Sequence, residues 1–321
     1  MYSFQELLKL YTEKFNHPHF PEEPQKLYEP AEYFLGIGGK RIRPVFCLMG
    51  NELFGDIEDD AWKIANAIEL FHNFTLMHDD IMDDASLRRG KPTVFARNGA
   101  NAAILSGDVM LIRAYEYLNE INPELIQPVL ALFSKTAREV CEGQQYDMDF
   151  EAQENVSLEE YIKMIKLKTA VLLAASLETG AIAGGATRNN CNHVYGFGKN
   201  LGIAFQIQDD YLDCFGDPEK FGKEVGGDIR RNKKTFLLIK ALETAQGSQK
   251  AELERLLANN DTDKVEKVLA LYKELGVDNW AKELQQQYAQ RSFKHLDDIV
   301  VVNARKKYLR EFAEDLLQRE Y

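Results

Sequence analysis

The sequence predicts an all-α protein with one domain over residues 1–321. Apolar residues recur at steps of three, four and seven through nearly every segment, which is the period of a helix. The period-two alternation that is typical of strands is missing. Glycines fall between the periodic segments, as at Gly36, Gly55 and Gly247, so they indicate helix ends and turns.

The periodic segments follow one another along the chain. The N-terminus, MYSFQELLKLYTEKF, is amphipathic. Helices are predicted over residues 61–82, 101–118, 124–149, 158–183, 194–214, 234–242, 250–257, 263–275, 279–296 and 304–319. The β-branched run 299–302 has no partner run and is predicted as a buried helical turn. The break at 216–234 is interpreted as a loop within the same domain, because the helical pattern resumes at once.

Composition excludes several classes of protein. The chain has 321 residues and a net charge of −12, with 45% hydrophobic and 28% charged residues, which is ordinary globular usage and not that of a disordered chain. The acidity disfavours nucleic acid as a partner, since no basic surface is available to release counterions.

Membrane and secretory signals are missing from the sequence. No apolar run reaches the roughly 20 residues that a membrane span requires, and the N-terminus does not resemble a signal peptide. The cysteines are far apart and form no CxxC pair, so they suit buried thiols in a reducing compartment; they are Cys47, Cys141, Cys191 and Cys214. We therefore expect a soluble cytoplasmic protein without a membrane span.

Two acidic motifs stand out, and each follows a long apolar helical run. The first contains Asp79 and Asp83, and the second contains Asp209 and Asp213. Residues four apart share one helix face, where two carboxylates repel each other. They also lie near helix C-terminal ends, where the helix dipole disfavours anions. Because Mg²⁺ takes carboxylate oxygens and is commonly shared with a phosphate, the pattern favours two magnesium sites.

Basic residues lie close to both motifs in sequence. They follow the GIGG turn, the first motif and the second motif, as Lys40, Arg41, Arg43, Arg88, Arg89, Lys223, Lys233 and Lys234. Arginine and lysine beside metal-binding carboxylates are typical of a clamp for a phosphate or diphosphate.

Four segments carry a resemblance to a known family. They are GGKRIRP at 38–44, HDDIMDDASLRRGKPT at 78–93, KLKTA at 166–170 and FQIQDDYLDCFGDPEKFGKEVGGDIRRNKKT at 205–235. In this order and spacing they resemble the signatures of the trans-type isoprenyl (polyprenyl) diphosphate synthases of the short-chain kind. The resemblance implies a helical bundle of the isoprenoid synthase type around a central apolar cavity, and we expect the two acidic motifs to face each other across it.

The resemblance also implies a prenyltransferase activity. Isopentenyl diphosphate would be condensed head to tail with an allylic diphosphate (dimethylallyl, geranyl or farnesyl) by ionisation, condensation and elimination. The cofactor implied is Mg²⁺, up to three ions bound with the diphosphate. The implied metal ligands are Asp79, Asp83 and Asp209, with Asp80, Asp210 and Asp213 beside them.

The substrate contacts follow from the same resemblance. The allylic diphosphate is implied to contact Arg88, Lys168, Lys223 and Lys233, and isopentenyl diphosphate to contact Lys40, Arg43, His72 and Arg89. The implied catalytic residues are Lys168, Thr169 and Gln206, with Thr169 and Gln206 beside the developing carbocation. No side chain stands out as a general base, and the family mechanism gives that role to the departing diphosphate.

Product length is predicted from the residues that precede Asp79 on its helix. In the family, aromatic residues near these positions limit elongation. Phe71 and Phe74 are bulky and Thr75 is small, although the helical angle turns Phe74 well off the Asp79 face. A short all-trans product is expected, geranylgeranyl or farnesyl diphosphate, and the room at Thr75 favours geranylgeranyl.

The same residues also give expectations for assembly and closure. A homodimer is expected, with the apolar helix at 101–118 as its interface. The chain lacks the basic tail of some short-chain members, so closure is assigned to the loop 216–234.

The alternatives are a terpene cyclase and a non-catalytic helical subunit. The paired DDxxD motifs and the GGKRIRP segment argue against a cyclase, and the intact motifs argue against a subunit. A di-metal oxidase bundle predicts paired Glu-x-x-His motifs, which the sequence lacks.

Overall fold

The computed structural model describes residues 1–217, 225–259 and 261–318, and the chain divides into two compact units. The first unit comprises Met1–Ala137, Ala175–Val194 and Val300–Leu309. The second comprises Arg138–Ala174, Tyr195–Ile299 and Arg310–Tyr321. The single domain over residues 1–321 stays a prediction.

Helices account for almost all of the regular structure. The chain begins with α1 (Phe4–Phe15), α2 (Gln25–Gly36), α3 (Ile42–Glu52) and α4 (Asp59–Met82). A short antiparallel ladder of β1 (Leu87–Arg88) and β2 (Lys91–Pro92) precedes α5 (Val94–Asn98), α6 (Ala100–Asn119) and α7 (Pro123–Ala152). Then come α8 (Leu158–Ile165), a π-helical turn (Lys166–Ala170), α9 (Val171–Ala183) and α10 (Arg188–Phe215). The remaining helices are α11 (Gly227–Arg230), α12 (Phe236–Thr244), α13 (Gly247–Ala258), α14 (Lys264–Glu274), α15 (Val277–Asp298) and α16 (Asn303–Gln318).

The all-α class is confirmed, since the chain is 78% helical. Two local predictions are wrong. The helix predicted over 158–183 is interrupted by the π-helical turn. The run 299–302 is a non-helical link, in which Ile299 is buried but Val300 is 75% exposed. The backbone N–H of Val300 donates to the side chain of Asn190, which removes it from a helical ladder.

The first unit is built around α4, which packs against α3 and α6. Apolar residues at helical spacing, among them Ile64, Ile68 and Phe71, are buried along α4. At the start of the chain, Ser3 and Glu6 form a reciprocal capping box that satisfies the first N–H groups of α1. The long α4 thus carries the first acidic motif to the end of a well-packed helix.

The second unit has its own apolar core, to which α8, α10, α12 and α14 contribute. A second capping box, formed by Ser157 and Glu160, fixes the start of α8. The π-helical turn follows α8 directly and carries the KLKTA segment, so the predicted catalytic residues lie at a break in regular helix. Such breaks are frequent at functional sites.

Two predictions from composition can be compared with the structure. No helix in the described ranges is both long and apolar enough to span a bilayer. All four cysteines are free thiols, and three are buried, but Cys141 is exposed, so the prediction of buried thiols is wrong there. Cys141 lies on a solvent-facing side of α7, which the spacing of cysteines alone does not indicate.

Candidate active site

The first acidic motif ends α4, and Asp83 caps that helix. Asp80 is 1% exposed and is gripped by Arg88, whose Nε lies 2.8 Å and Nη2 2.7 Å from its Oδ1. The same Nη2 lies 3.7 Å from Oδ2 of Asp79. Burial raises the pKa of Asp80 above its usual value, although Arg88 opposes this shift. Asp80 therefore orients Arg88, while Asp79 is partly exposed and Asp83 is exposed.

The residues predicted to hold isopentenyl diphosphate lie together in the first unit. Nη1 of Arg43 donates to Nε2 of His72 over 3.0 Å, so the proton of the neutral imidazole is on Nδ1. Burial and then the charges of Arg43 and Arg89 hold the pKa of His72 well below its usual value. A Cβ on Gly39 would lie 2.6 Å from Nη1 of Arg89, so this guanidinium rests on the glycine turn. Lys40 is exposed on the same turn.

In the second unit, the π-helical turn places Lys168 and Thr169. Nζ of Lys168 lies 2.6 Å from Oδ2 of Asp147 on α7. The hydroxyl of Thr169 donates to Oε1 of Gln206 over 3.2 Å, and Nε2 of Gln206 donates to Oδ1 of Asp210 over 2.9 Å. The three predicted catalytic residues are thereby each tied to a carboxylate or to a chain of hydrogen bonds that ends on one.

Asp210, the middle residue of the second motif, is buried like Asp80. Its Oδ2 accepts a 2.5 Å hydrogen bond from the Tyr161 hydroxyl. Burial raises the pKa of Asp210 to about 6, and the charge of Lys233 opposes this shift. Because both of its oxygens accept from protein donors, Asp210 is suited to orienting Gln206. Its predicted role as a metal ligand stays a prediction.

The outer residues of the second motif are more accessible. Asp209 and Asp213 are partly exposed, and Oδ2 of Asp213 accepts from the backbone N–H of Asp228 over 3.0 Å. Lys233 is exposed over part of its side chain, while its charged end lies among carboxylates. Desolvation of that end would lower the pKa of Lys233, but the charges of Asp147, Asp210 and Asp228 outweigh it and raise that pKa. Lys233 therefore carries its positive charge close to this acidic group.

Some predictions fall outside the described residues. Lys223 is one of them, and so are the other residues of 218–224 in the loop 216–234, which is predicted to close the site. The first acidic motif belongs to one unit and the second to the other. That the two motifs face each other across a cavity stays a prediction.

The predicted chain-length residues belong to an aromatic cluster in the first unit. The ring of Phe71 is 1% exposed and lies 5.7 Å from that of Phe74 and 5.3 Å from that of Phe133. Phe74 is partly exposed, and its ring lies 4.6 Å from His78. The Thr75 hydroxyl donates to the backbone oxygen of His72 over 2.8 Å.

The acidic residues fit Mg²⁺ only when a diphosphate shares the ion. Within the described residues, no group of three or more acidic, histidine or cysteine side chains is arranged to hold a metal ion. Mg²⁺ commonly takes one or two carboxylates and completes its shell with substrate phosphates and waters. The pairs Asp79 and Asp83, and Asp209 and Asp213, provide such partial ligand sets at accessible helix ends.

Three contacts around the predicted residues were missed from the sequence. They are the ion pair of the buried Glu69 with Arg41, the ion pair of Asp147 with Lys168, and the hydrogen bond from Tyr161 to Asp210. Acidic residues and tyrosines at helical spacing give no local signal that separates a buried partner from a surface residue or a core aromatic.

Comparison with known proteins adds an independent observation. Residues 24–275 match the model of the polyprenyl synthetase family. The chain is 37% identical to a short chain isoprenyl diphosphate synthase of Methanothermobacter thermautotrophicus, with 93% of this chain and 92% of that protein covered. It is also 37% identical to a geranylgeranyl diphosphate synthase of Sulfolobus acidocaldarius, over 90% of each chain. The crystal structure of a geranylgeranyl pyrophosphate synthetase from Pyrococcus horikoshii is 36% identical and covers 98% of each chain with a TM-score of 0.91.

Proposed function

Because the chain belongs to the polyprenyl synthetase family, we propose that it condenses isopentenyl diphosphate with an allylic diphosphate to give a short-chain, all-trans prenyl diphosphate. The enzyme is then a prenyltransferase. The observation that carries the proposal is the cluster of Arg43, His72 and Arg89 against the glycine turn, in the same unit as the clamp of Arg88 on Asp80. A terpene cyclase, which uses one substrate, does not need this second group of basic residues.

The proposed chemistry begins with the loss of diphosphate from the allylic carbon. The C–O bond breaks, and the diphosphate leaves with the electron pair. Arg88, Lys168, Lys223 and Lys233 are proposed to offset the negative charge that develops on it. Mg²⁺, held by Asp79 and Asp83 and by Asp209 and Asp213, would add electrostatic stabilisation of the same charge when bound.

The remaining residues are proposed to serve the condensation step. Lys40, Arg43, His72 and Arg89 are proposed to hold isopentenyl diphosphate, and its double bond supplies the electrons of the new C–C bond. Thr169 and Gln206, which are hydrogen-bonded to each other, are proposed to lie beside the developing positive charge. A proton is then lost to the departed diphosphate, and this forms the double bond of the product.

The product is proposed to be geranylgeranyl or farnesyl diphosphate, with geranylgeranyl favoured. The bulky Phe71 and Phe74 support an early stop, and the small Thr75 supports the longer of the two products. The allylic primer is proposed to be dimethylallyl, geranyl or farnesyl diphosphate.

The chain is further proposed to act as a homodimer in the cytoplasm. Three apolar side chains of α6 support the dimer, because Ile104, Leu105 and Ile112 are 43%, 57% and 59% exposed. The isolated cysteines support a reducing compartment, since all four are free thiols.

Incubation with labelled isopentenyl diphosphate, each allylic diphosphate and Mg²⁺, followed by chromatography of the dephosphorylated products, tests the proposed reaction. We expect elongation that stops at a short product and that disappears with a chelator or in the Asp79→Ala/Asp83→Ala variant. Cyclic products from the allylic diphosphate alone would indicate a cyclase. Absence of any turnover by the intact protein would favour the non-catalytic subunit.

A further inference from the structure

A buried carboxylate acts on three arginines of the first unit. These arginines, here called the basic cluster, are Arg41, Arg43 and Arg89. Glu69 on α4 is 4% exposed and forms an ion pair with Arg41, whose side chain is 9% exposed. Nδ2 of Asn73, one turn further along α4, also donates to Oε1 of Glu69 over 2.9 Å. Both donors are protein groups and both meet Oε1, so this oxygen of the carboxylate is occupied inside the protein.

Arg41 is likewise occupied inside the protein. Its Nη2 donates to the backbone oxygen of Leu35 over 2.8 Å, and its guanidinium carbon lies 4.9 Å from the ring centroid of Phe15. The backbone of Arg41 has φ of +47°, a left-handed conformation that residues other than glycine rarely adopt. The contacts of the side chain therefore fix a turn whose backbone is unfavourable by itself.

That turn carries the residues that are proposed to hold isopentenyl diphosphate. Lys40 precedes Arg41, Arg43 follows it by two residues, and Arg89 rests on Gly39. Arg41, Arg43 and Arg89 bring three positive charges together, and the buried carboxylate of Glu69 acts on all three, while the buried Asp80 acts on Arg89 as well. Like charges at this spacing repel each other, so they need a fixed counter-charge to stay in place before the substrate arrives.

We propose that Glu69 is a positioning residue for isopentenyl diphosphate: through Arg41 it anchors the 38–44 turn and so places Arg43 and Arg89 for the diphosphate. This inference rests on the proposed function, because it assumes that Arg43 and Arg89 bind that substrate. Glu69 itself does not touch the substrate. Arg41 connects α4 to the turn, and its guanidinium remains paired with Glu69 when the substrate binds.

The variant Glu69→Gln separates positioning from a simple effect of charge. It keeps the shape of the side chain but removes its negative charge. The net charge of the three arginines together with residue 69 therefore rises from two to three positive charges. If Glu69 acted only as a charge, its loss would strengthen the binding of an anionic substrate. If it positions Arg41, binding weakens despite the added positive charge.

We expect Glu69→Gln to raise KM for isopentenyl diphosphate about tenfold, the size of one lost charge-assisted contact. KM for the allylic diphosphate and kcat should change less than about twofold, since Glu69 pairs with Arg41 and accepts from Asn73, and neither of these is assigned to those steps. Calorimetric titration with isopentenyl diphosphate alone should show the same loss of affinity. An unchanged or lowered KM for isopentenyl diphosphate, or an equal rise for both substrates, would overturn the proposal.

A matched control distinguishes positioning from general loss of stability. Glu52 in the same unit is 5% exposed, accepts from the backbone N–H of Tyr2 over 3.2 Å and pairs with the N-terminal ammonium over 3.6 Å. Glu52→Gln should lower thermal stability and leave both KM values unchanged. Raised KM for isopentenyl diphosphate in this control would attribute the effect of Glu69→Gln to destabilisation and so contradict the proposal.

A second variant covers the case in which Glu69→Gln fails to fold. Arg41→Met/Glu69→Met removes both charges at similar volume, an exchange that buried ion pairs often tolerate. The net charge of the cluster together with residue 69 then stays at two positive charges. A lower affinity for isopentenyl diphosphate would therefore result from the lost connection between Glu69 and Arg41, and an unchanged affinity would contradict the proposal. Because titration does not require turnover, this comparison remains valid even if the intact protein binds the substrate without condensing it, which would count against the proposed function alone.

Discussion

The middle aspartate of each acidic motif is turned into the protein. Asp80 is held by Arg88, and Asp210 accepts from Tyr161 and Gln206, so both are committed to protein donors. The flanking residues, Asp79 and Asp83 in one motif, remain accessible at the helix end. Residues i and i+4 share one helix face and residue i+1 points about 100° away. The motif thus combines ligands on one face with an anchor on the next.

The aromatic residues ahead of Asp79 give a prediction about the product. Phe71→Ala or Phe74→Ala should lengthen the product by at least one five-carbon unit, because each removes one of the bulky rings that are proposed to limit elongation. Phe71→Ala should also cost about 3–5 kcal/mol of stability, since that ring is buried. Phe4→Ala, which truncates a buried ring on α1, is the control for destabilisation alone. Chromatography that shows the wild-type product from both variants would mean that Phe71 and Phe74 do not limit elongation.

His19 gives a prediction about pH. Its imidazole is 6% exposed, Nε2 donates to the backbone oxygen of Phe15 over 3.0 Å, and Nδ1 accepts from the Tyr117 hydroxyl over 2.9 Å. Burial, and then the proximity of His17, lowers the pKa of His19 from 6.5 to about 4. Between pH 6.5 and about 4, His19 is therefore protonated in the unfolded chain but not in the folded chain. The free energy of unfolding falls as the pH is lowered through this range.

The size of this effect is up to about 3 kcal/mol, because each pKa unit is worth about 1.4 kcal/mol. Denaturant unfolding at pH 7.5 and at pH 4.5 measures it. Carboxylates also titrate near the lower value, so the informative quantity is the difference in unfolding free energy between wild type and His19→Gln. We expect this difference to shrink as the pH falls. A difference that stays constant would show that His19 is not the titrating group.

At the scale of the element, the helices were predicted well because their apolar period is strong and their ends are marked. The helix predicted over 61–82 is α4, which begins only two residues earlier, at Asp59. The π-helical turn at Lys166–Ala170 was not predicted, because one extra residue in a helical turn barely changes the apolar period. The turn lies close against a helix that is distant in sequence: a Cβ on Gly143 of α7 would collide with the backbone of Lys168.

The variant Gly143→Ala tests whether this contact sets the π-helical turn, which carries the predicted catalytic residues. The added methyl group would push the backbone of Lys168 away from α7, and a displacement of this kind should lower kcat by about tenfold or more. It should also cost about 1–3 kcal/mol of stability, the usual cost of overpacking. Gly36→Ala is the matched control, because a Cβ there meets nothing within 4 Å. Wild-type kcat in Gly143→Ala would mean that the turn is set by something else.

At the scale of the whole molecule, sequence reasoning could identify charged groups but not the contacts that restrain them. Arg43, His72 and Arg89 were predicted as a group through their motifs, and they do lie together. Their buried partner Glu69 was missed, since nothing in the local pattern distinguishes it from a solvated helix residue. Burial of a charge depends on the packing of α1, α3 and α4 together, and such long-range packing is not encoded in any single window of sequence.

The exposed face of α6 gives the prediction for the assembly. The buried residues of α6 include Ala103, Gly107 and Met110, whereas Leu105 and Ile112 lie seven residues apart and share the opposite face. Apolar side chains that are 57% and 59% exposed on one helix face are typical of a contact surface. In a homodimer a twofold axis would bring this face against its own copy, so that each substitution acts twice.

Leu105→Asp/Ile112→Asp should therefore convert a dimer into a monomer, because four carboxylates would then be buried against each other without partners. Light scattering coupled to size-exclusion chromatography measures the mass, with 36.7 kDa expected for one chain. Val300→Asp/Val302→Asp is the control, since these side chains are even more exposed, at 75% and 67%, but lie outside α6. If the control dissociates and the α6 variant stays dimeric, the interface is elsewhere. A wild-type mass of one chain would exclude the homodimer itself.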